Sequence, residues 1–254
     1  MRMPRRRRIL TITGATVVLG LAGVAVSAAT QAVPQASDQA TVTSHATPLR
    51  WTGAVPRAVG KAEAGNDCGF VPAIPADRYK GLPPFTAAKA AHGYIAHLWT
   101  SQGEISFRAF VKQAPCTTFS FRWLAQRGYF YGTHCHRLTT EFLYVLQCGD
   151  PTGTGSGAPG YSFNDENLSG ADGYPAGMIA MANAGPDTNG SQFFFNWKAS
   201  PLIPPDYTPF GQVTQGMNIL RRIASAGDDS QNGPGDGYPN LFVKFNKITF
   251  TMTS

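Results

Sequence analysis

Two short runs of this chain carry the residue types that chemistry uses: His134-Cys135-His136-Arg137, and a little downstream Gln147-Cys148-Gly149-Asp150. The histidines and cysteine raise the question of zinc. Zinc sites draw on about four ligands, typically in closely spaced pairs, yet no CxxC pair exists and His134 and His136 lack ligand-type partners. A secreted hydrolase would need a nucleophile with a base beside it. Gly153-Thr154-Gly155-Ser156-Gly157 is not the GxSxG elbow, because Gly155 stands where the serine belongs, and no Asp or Glu pair stands out for acid–base work. Asp228, Asp229 and Asp236 share a Gly-rich loop whose spacing fails the EF-hand pattern, so it reads as a solvated turn. Arg137 remains. Its guanidinium is always charged and donates to two acceptors at once, although a lone strand arginine is most often just solvated.

Patterning describes the elements that must position these residues. Tyr94 to Trp99 and Ile105 to Phe110 read as strands joined by a tight turn at Ser101-Gln102-Gly103. Ala114 to Thr117 opens an amphipathic helix with Phe119, Trp123 and Leu124 as core contacts, stopped by Gly128 as a left-handed cap. Apolar strand signals flank the stretch from His136 to Gln147. A second helix runs near Met217 to Ala226, ending at Gly227, and Val243 to Phe250 alternates as a closing strand. With Gly 28, Pro 19 and 11% aromatics in 254 residues, the expected fold is mainly β. It is a closed antiparallel β-barrel of about eight strands capped by two α-helices.

The first residues explain the charge. Met1 to Arg8 is basic, Ile9 to Val26 is apolar and uncharged, and Val26-Ser27-Ala28 offers a small-residue cleavage site, the pattern of a secretory signal. A retained membrane anchor is the alternative, since the apolar run approaches the ~18 residues a span needs. The chain thus divides into a signal peptide or anchor (1–28), a flexible Ala/Thr/Ser/Gln/Pro linker (29–67), a Pro-rich strap pinned through Cys68 (68–87) and a folded domain (88–254). Without Arg2, Arg5, Arg6, Arg7 and Arg8 the net charge of +6 falls to +1. No basic footprint for nucleic acid remains. The expected location is secreted or at the cell surface, where four cysteines can form up to two disulfides, in any of three pairings.

Met181-Ala182-Asn183-Ala184-Gly185-Pro186-Asp187-Thr188-Asn189-Gly190-Ser191-Gln192-Phe193-Phe194 resembles the signature segment of cyclophilins. His136-Arg137-Leu138 and Gln147-Cys148-Gly149-Asp150 resemble the family's catalytic strand pair, Gly153 to Gly157 its glycine loop, and Phe163 to Asn167 the turn that follows. Tyr207 to Val213 and Gly216 to Ile219 fit its late strand and second helix, all in the family's order over the last two-thirds of the chain. The resemblance is closest to exported actinobacterial cyclophilins. It implies a cyclophilin-like barrel with peptidyl-prolyl cis-trans isomerase activity and no metal or cofactor. Arg137, Gln147, Asn183 and Phe194 take the catalytic positions. Tyr144, Val145, Gly155, Ala182, Gln192, Ile203 and Tyr207 take the substrate-binding ones.

Three departures bear on these assignments. The stretch between Arg137 and Gln147 is two residues longer than usual, so counting back from Gln147 puts Tyr144 and Val145 in the proline pocket, whereas counting forward from Arg137 puts Phe142 there. Backward counting is preferred, because the strand carrying Gln147 fixes the alternation. Tyr207 stands at the usual pocket histidine, and Leu202 at the tryptophan that contacts cyclosporin, so weak cyclosporin binding is expected. The implied partners are proline-containing peptides and unfolded exported proteins, met by a monomer, with membrane contact only if the first segment is retained. A cyclophilin-fold binding or chaperone module with little catalysis is the alternative. Pairing the two catalytic strands would bring Cys135 to Cys148 and leave Cys116 for Cys68; the rival, Cys116 with Cys148, stays open.

Overall fold

The computed structural model describes residues 57–58, 68–171 and 173–253; the signal segment and most of the linker fall outside them. Strands β1 (Arg57–Ala58), β2 (Val71–Ala76) and β7 (Pro159–Ser162) form a small sheet. It lays the Pro-rich strap on the domain. Cys68 is bonded to Cys116, and buried Phe70 meets Phe85, Tyr161 and Phe163 ring to ring. Strand pairing at Arg57–Ala58 reaches into the stretch read as linker.

Among the described residues the main sheet has nine strands, antiparallel throughout. In spatial order they are β11 (Asp236–Gly237), β5 (Arg137–Thr139), β6 (Val145–Cys148), β9 (Phe193–Asn196), β8 (Met178–Met181), β10 (Pro209–Gln215), β4 (Gly103–Ala109), β3 (Tyr94–Thr100) and β12 (Phe245–Met252). It curls until its ends approach. Cys135 donates to the Val243 carbonyl, Gly132 to that of Phe245, and Phe245 back to Thr133. The barrel expectation holds in this form. The closing strand starts at Phe245 rather than Val243, because Val243 and Lys244 pair with the segment before β5.

Both expected helices are present, as α2 (Pro115–Gln126) and α3 (Met217–Ser225), with Gly128 and Gly227 at positive φ beyond their ends. A four-residue helix, α1 (Ala87–Ala90), was not anticipated; the Thr86 hydroxyl caps it by accepting from Lys89 at 3.3 Å. Alternation then decides what each strand face does. On β6, β8 and β9, Leu146, Cys148, Ile179, Met181, Phe193 and Phe195 point into the main core with Phe107, Phe121 and Phe210. Their neighbours Val145, Met178, Ala180 and Phe194 point the other way, into a second apolar cluster on the outside of the barrel.

Candidate active site

Register assembles the site. Arg137 on β5 lies directly opposite Gln147 on β6, Gln147 opposite Phe194 on β9, and Phe194 opposite Ala180 on β8. Directly opposed residues share a face, so a cation, an amide and an aromatic ring stand in a row on the outer face. Phe194 is fully buried, and Ala182, Ile203, Tyr207 and Leu143 cover it, each only 4–8% exposed. The Tyr207 ring meets Phe194 edge-on at 5.8 Å, and its backbone is tied to the Tyr174 hydroxyl in both directions. Burial raises the Tyr207 phenol, with Asp206 adding to the rise and the Arg137 charge opposing it.

Val145 takes its expected place in this cluster, but Tyr144 does not. Its ring turns to Trp197, edge-on at 5.1 Å, with the Lys198 ammonium over it at 4.1 Å. Phe142 points to neither and is 61% exposed. Leu143 fills the slot, a residue the sequence reading passed over. The signal was there: alternation from Gln147 leads to Val145 and then Leu143, never to Tyr144.

The polar groups interlock. Gln147 Nε2 donates to Gln192 Oε1 at 3.0 Å, and Gln192 Nε2 donates to the carbonyls of Gly155 at 3.1 Å and Gly157 at 2.9 Å. Gln192 therefore braces the glycine loop against the strand row. Asp150 organises that loop from beneath, accepting from the Thr152 N–H and hydroxyl and from the Gly155 N–H. Burial pushes its carboxyl up, but the hydrogen bonds from Thr152 and Gly157, together with the pull of His136, outweigh that and hold it below the ordinary range. Gly155 needs its own freedom at φ +85°, and at Gly157 a Cβ would strike the Asp150 carboxylate. Asn183 sends its side-chain amide to the Asp206 carbonyl at 2.7 Å.

His136, between Cys135 and Arg137, is buried with neither ring nitrogen in hydrogen-bonding geometry. Burial pushes its imidazole down to about 4, against the pull of Asp150. Arg137 itself is engaged: Asp236 accepts from its Nε and Nη2. The loop read as a solvated turn therefore reaches the row, a correction to the sequence reading. Among the described residues no group of three or more His, Cys, Asp or Glu could hold a metal. Surface hollows of about 400 and 360 Å³ lie around α1, α2 and β12, away from this row.

Comparison with known proteins bears on the same residues. A family model, cyclophilin type peptidyl-prolyl cis-trans isomerase/CLD, matches residues 95–239. A probable peptidyl-prolyl cis-trans isomerase B of Mycobacterium tuberculosis is 46% identical over 162 residues, covering 59% of this chain and 52% of the relative. Its counterpart in Mycobacterium leprae is 43% identical, covering 60% and 55%. This chain thus spans about half the length of these mycobacterial relatives. Peptidyl-prolyl cis-trans isomerase-like 1 of Mus musculus is 43% identical, covering 55% of this chain and 85% of the relative. A crystal structure of a cyclophilin-type isomerase of Cryptosporidium parvum aligns with TM-score 0.56 at 28% identity, over 64% of this chain and 99% of that one. The same protein, crystallised in the presence of the dipeptide Ala-Pro, aligns with TM-score 0.55. Matched along most of its described length, with its signature segment and strand pair meeting at one site, this chain belongs to the cyclophilin-type peptidyl-prolyl cis-trans isomerase family.

Proposed function

We propose that this chain catalyses cis–trans isomerisation of X-Pro bonds in proteins outside the cytoplasm. The observation that carries the reading is the row Arg137–Gln147–Phe194–Ala180, a fixed cation beside a covered apolar floor. An X-Pro bond prefers trans by only ~0.5–1 kcal/mol, while its barrier is near ~20 kcal/mol and spontaneous exchange takes tens of seconds. Rotation uncouples the prolyl nitrogen lone pair from the carbonyl, so the reaction needs no nucleophile, metal or cofactor. It needs a donor to the localised lone pair, a slot for the ring, and groups that hold one side while the other turns. Each ~1.4 kcal/mol gained only in the twisted state is worth a factor of ten.

In this reading Arg137 is that donor, reaching the prolyl nitrogen and a neighbouring carbonyl together. Val145, Leu143, Ile203 and Tyr207 grip the ring over Phe194. Asn183 offers its main chain to the peptide, and Ala182 and Gly155 leave room for its backbone. Two disulfides, Cys68–Cys116 and Cys135–Cys148, fit an oxidising compartment, in keeping with the basic-then-apolar first segment. Among the described residues no helix is long and apolar enough to cross a membrane. Unfolded exported proteins are the natural substrates on this view, taken by a monomer. Leu202, exposed at the rim, lacks the indole donor at that position, so cyclosporin binds weakly.

Exchange spectroscopy on the purified full chain with an Ala-Pro tetrapeptide tests the proposal. The protein should accelerate exchange, and Arg137→Ala should lower kcat/KM at least about tenfold, equivalent to 1.4 kcal/mol, with its circular dichroism unchanged. Arg137→Lys should also be poor, because the fork is lost. Full activity in a folded Arg137→Ala protein sinks the mechanism. Peptide binding without accelerated exchange would instead identify a binding or chaperone module.

A further inference from the structure

Asp236 lies ninety-nine positions from Arg137 in sequence, yet its carboxylate meets the guanidinium side-on, Oδ1 with Nε at 2.8 Å and Oδ2 with Nη2 at 2.5 Å. The two side chains are only 16% and 24% exposed. Among the described residues no other Arg or Lys is ion-paired to a carboxylate. The loop behind Asp236 is built to hold it there. Asp236 and Gly237 form β11, registered against Thr139 and Leu138 of β5. Its main chain is turned by bonds from Asn232 to the Asp236 carbonyl and from Asp236 to the Gly233 carbonyl. Thr140 donates its N–H to the Gly235 carbonyl and its hydroxyl to Asp228 at 2.9 Å, so the loop is fastened to the end of the arginine's strand.

A guanidinium has five N–H groups on a rigid plane. The side-on grip occupies Nε and one hydrogen of Nη2, and among the described residues Nη1 has no partner. We infer that Asp236 is a positioning residue for Arg137: it orders the fork by one edge and aims the other at the X-Pro bond before the peptide arrives. This inference rests on the isomerase reading of the site and deepens it. An unheld arginine must lose its rotamer freedom on reaching the twisted peptide bond, and ordering it in advance removes that penalty. Since the arginine's contact is made in the twisted state, the benefit falls on kcat rather than KM. A mere latch between β5 and β11 would instead change stability and leave the chemistry of Arg137 untouched.

The test is a double-mutant cycle on the full chain with the Ala-Pro tetrapeptide. Asp236→Ala should lower kcat about tenfold, or 1.4 kcal/mol, with KM within about twofold and the circular dichroism unchanged. Asp236→Asn, nearly isosteric, should lose about as much, because its amide sets a donor against a guanidinium donor; it carries the test if the alanine variant unfolds. In an Arg137→Lys background, which has no second edge to hold, Asp236→Ala should change kcat less than about twofold. The Arg137 Nε–H resonance should be seen in the unaltered protein and lost by exchange in both Asp236 variants. Unaltered kcat in folded Asp236 variants, or the same loss in the Lys background, overturns the inference. If Arg137→Ala is inactive while the Asp236 variants are fully active, only the positioning role falls. If Arg137→Ala itself is fully active, the reading beneath it falls too.

Discussion

Phe142 stands at φ 61° with its ring mostly in solvent. Left-handed backbone costs an ordinary residue roughly 1–2 kcal/mol, and a bulky one gains nothing there from burial. Asparagine tolerates that conformation without glycine's extra chain entropy. Phe142→Asn should therefore raise stability by about 0.5–1 kcal/mol in denaturant unfolding, and a lowered midpoint would count against the strain. This residue also shows why the neighbouring pocket was only partly legible. The members of the row were legible because His136-Arg137, Gln147 to Asp150 and the run ending at Phe194 are each contiguous in sequence. The turn where Leu143 donates to the Glu141 carbonyl breaks the forward count from Arg137, which lands on Phe142, while the backward count to Tyr144 overlooks the strand alternation that leads to Leu143. His136 supplies a second prediction. Its folded imidazole is held down to about 4 by burial, below the unfolded value of 6.5. The unfolded chain therefore takes the proton first. Stability should be complete above about pH 6.5 and fall as pH drops towards 4, by roughly 3 kcal/mol. His136→Gln should flatten that part of the profile in unfolding curves measured from pH 7 to 4; an unchanged slope would clear His136 of the effect.

At the scale of elements, α2 shows what patterning reads and what it misses. Its apolar contacts and its glycine stop follow from local spacing, and Phe119, Trp123 and Leu124 are all buried as expected. Its N-terminus has no side-chain cap of its own, since Ala114 precedes Pro115. The cap comes from Glu166, fifty positions away: Oε1 accepts from Cys116 N–H at 3.0 Å, and Oε2 from the Thr117 N–H and hydroxyl at 2.8 Å each. A carboxylate there satisfies orphan donors and meets the positive end of the helix dipole. No local rule can find a partner set by tertiary folding, and β11, which brings Asp236 to Arg137, was missed for the same reason. Glu166→Ala leaves these donors to water or to nothing and should cost about 1–2 kcal/mol. Glu166→Gln, which keeps one acceptor oxygen but replaces the other with an amide donor and loses the charge, should recover only part of it. Equal stability of all three proteins in thermal unfolding would show that water caps the helix equally well.

For the molecule as a whole, the two disulfides divide their work, on the isomerase reading, between stability and catalysis. Both pairings match the expectation raised from the strand pair. Cys68–Cys116 spans 48 positions and ties the strap to the start of α2, joining neither β5 nor β6. Cys135–Cys148 spans only 13 positions, but it joins the segments that carry Arg137 and Gln147, next to the bond from His136 N–H to the Gln147 carbonyl. Loop-closure entropy favours the longer loop: about 4 kcal/mol for the first and about 3 kcal/mol for the second. On the proposed mechanism catalysis depends instead on the register of the site row, and of the two disulfides only the second joins the segments that carry it. Replacing Cys68 and Cys116 together by Ala should therefore cause the larger loss of unfolding free energy while leaving kcat within about twofold. Replacing Cys135 and Cys148 should cause the smaller loss of stability but lower kcat several-fold, because β5 can then shift against β6 and misplace Arg137 over the peptide bond. Denaturant unfolding and X-Pro exchange measured on the two double variants give the two rankings independently. If the pair that is more damaging to stability is also the more damaging to kcat, the division of labour is wrong and both bonds act only through the stability of the barrel.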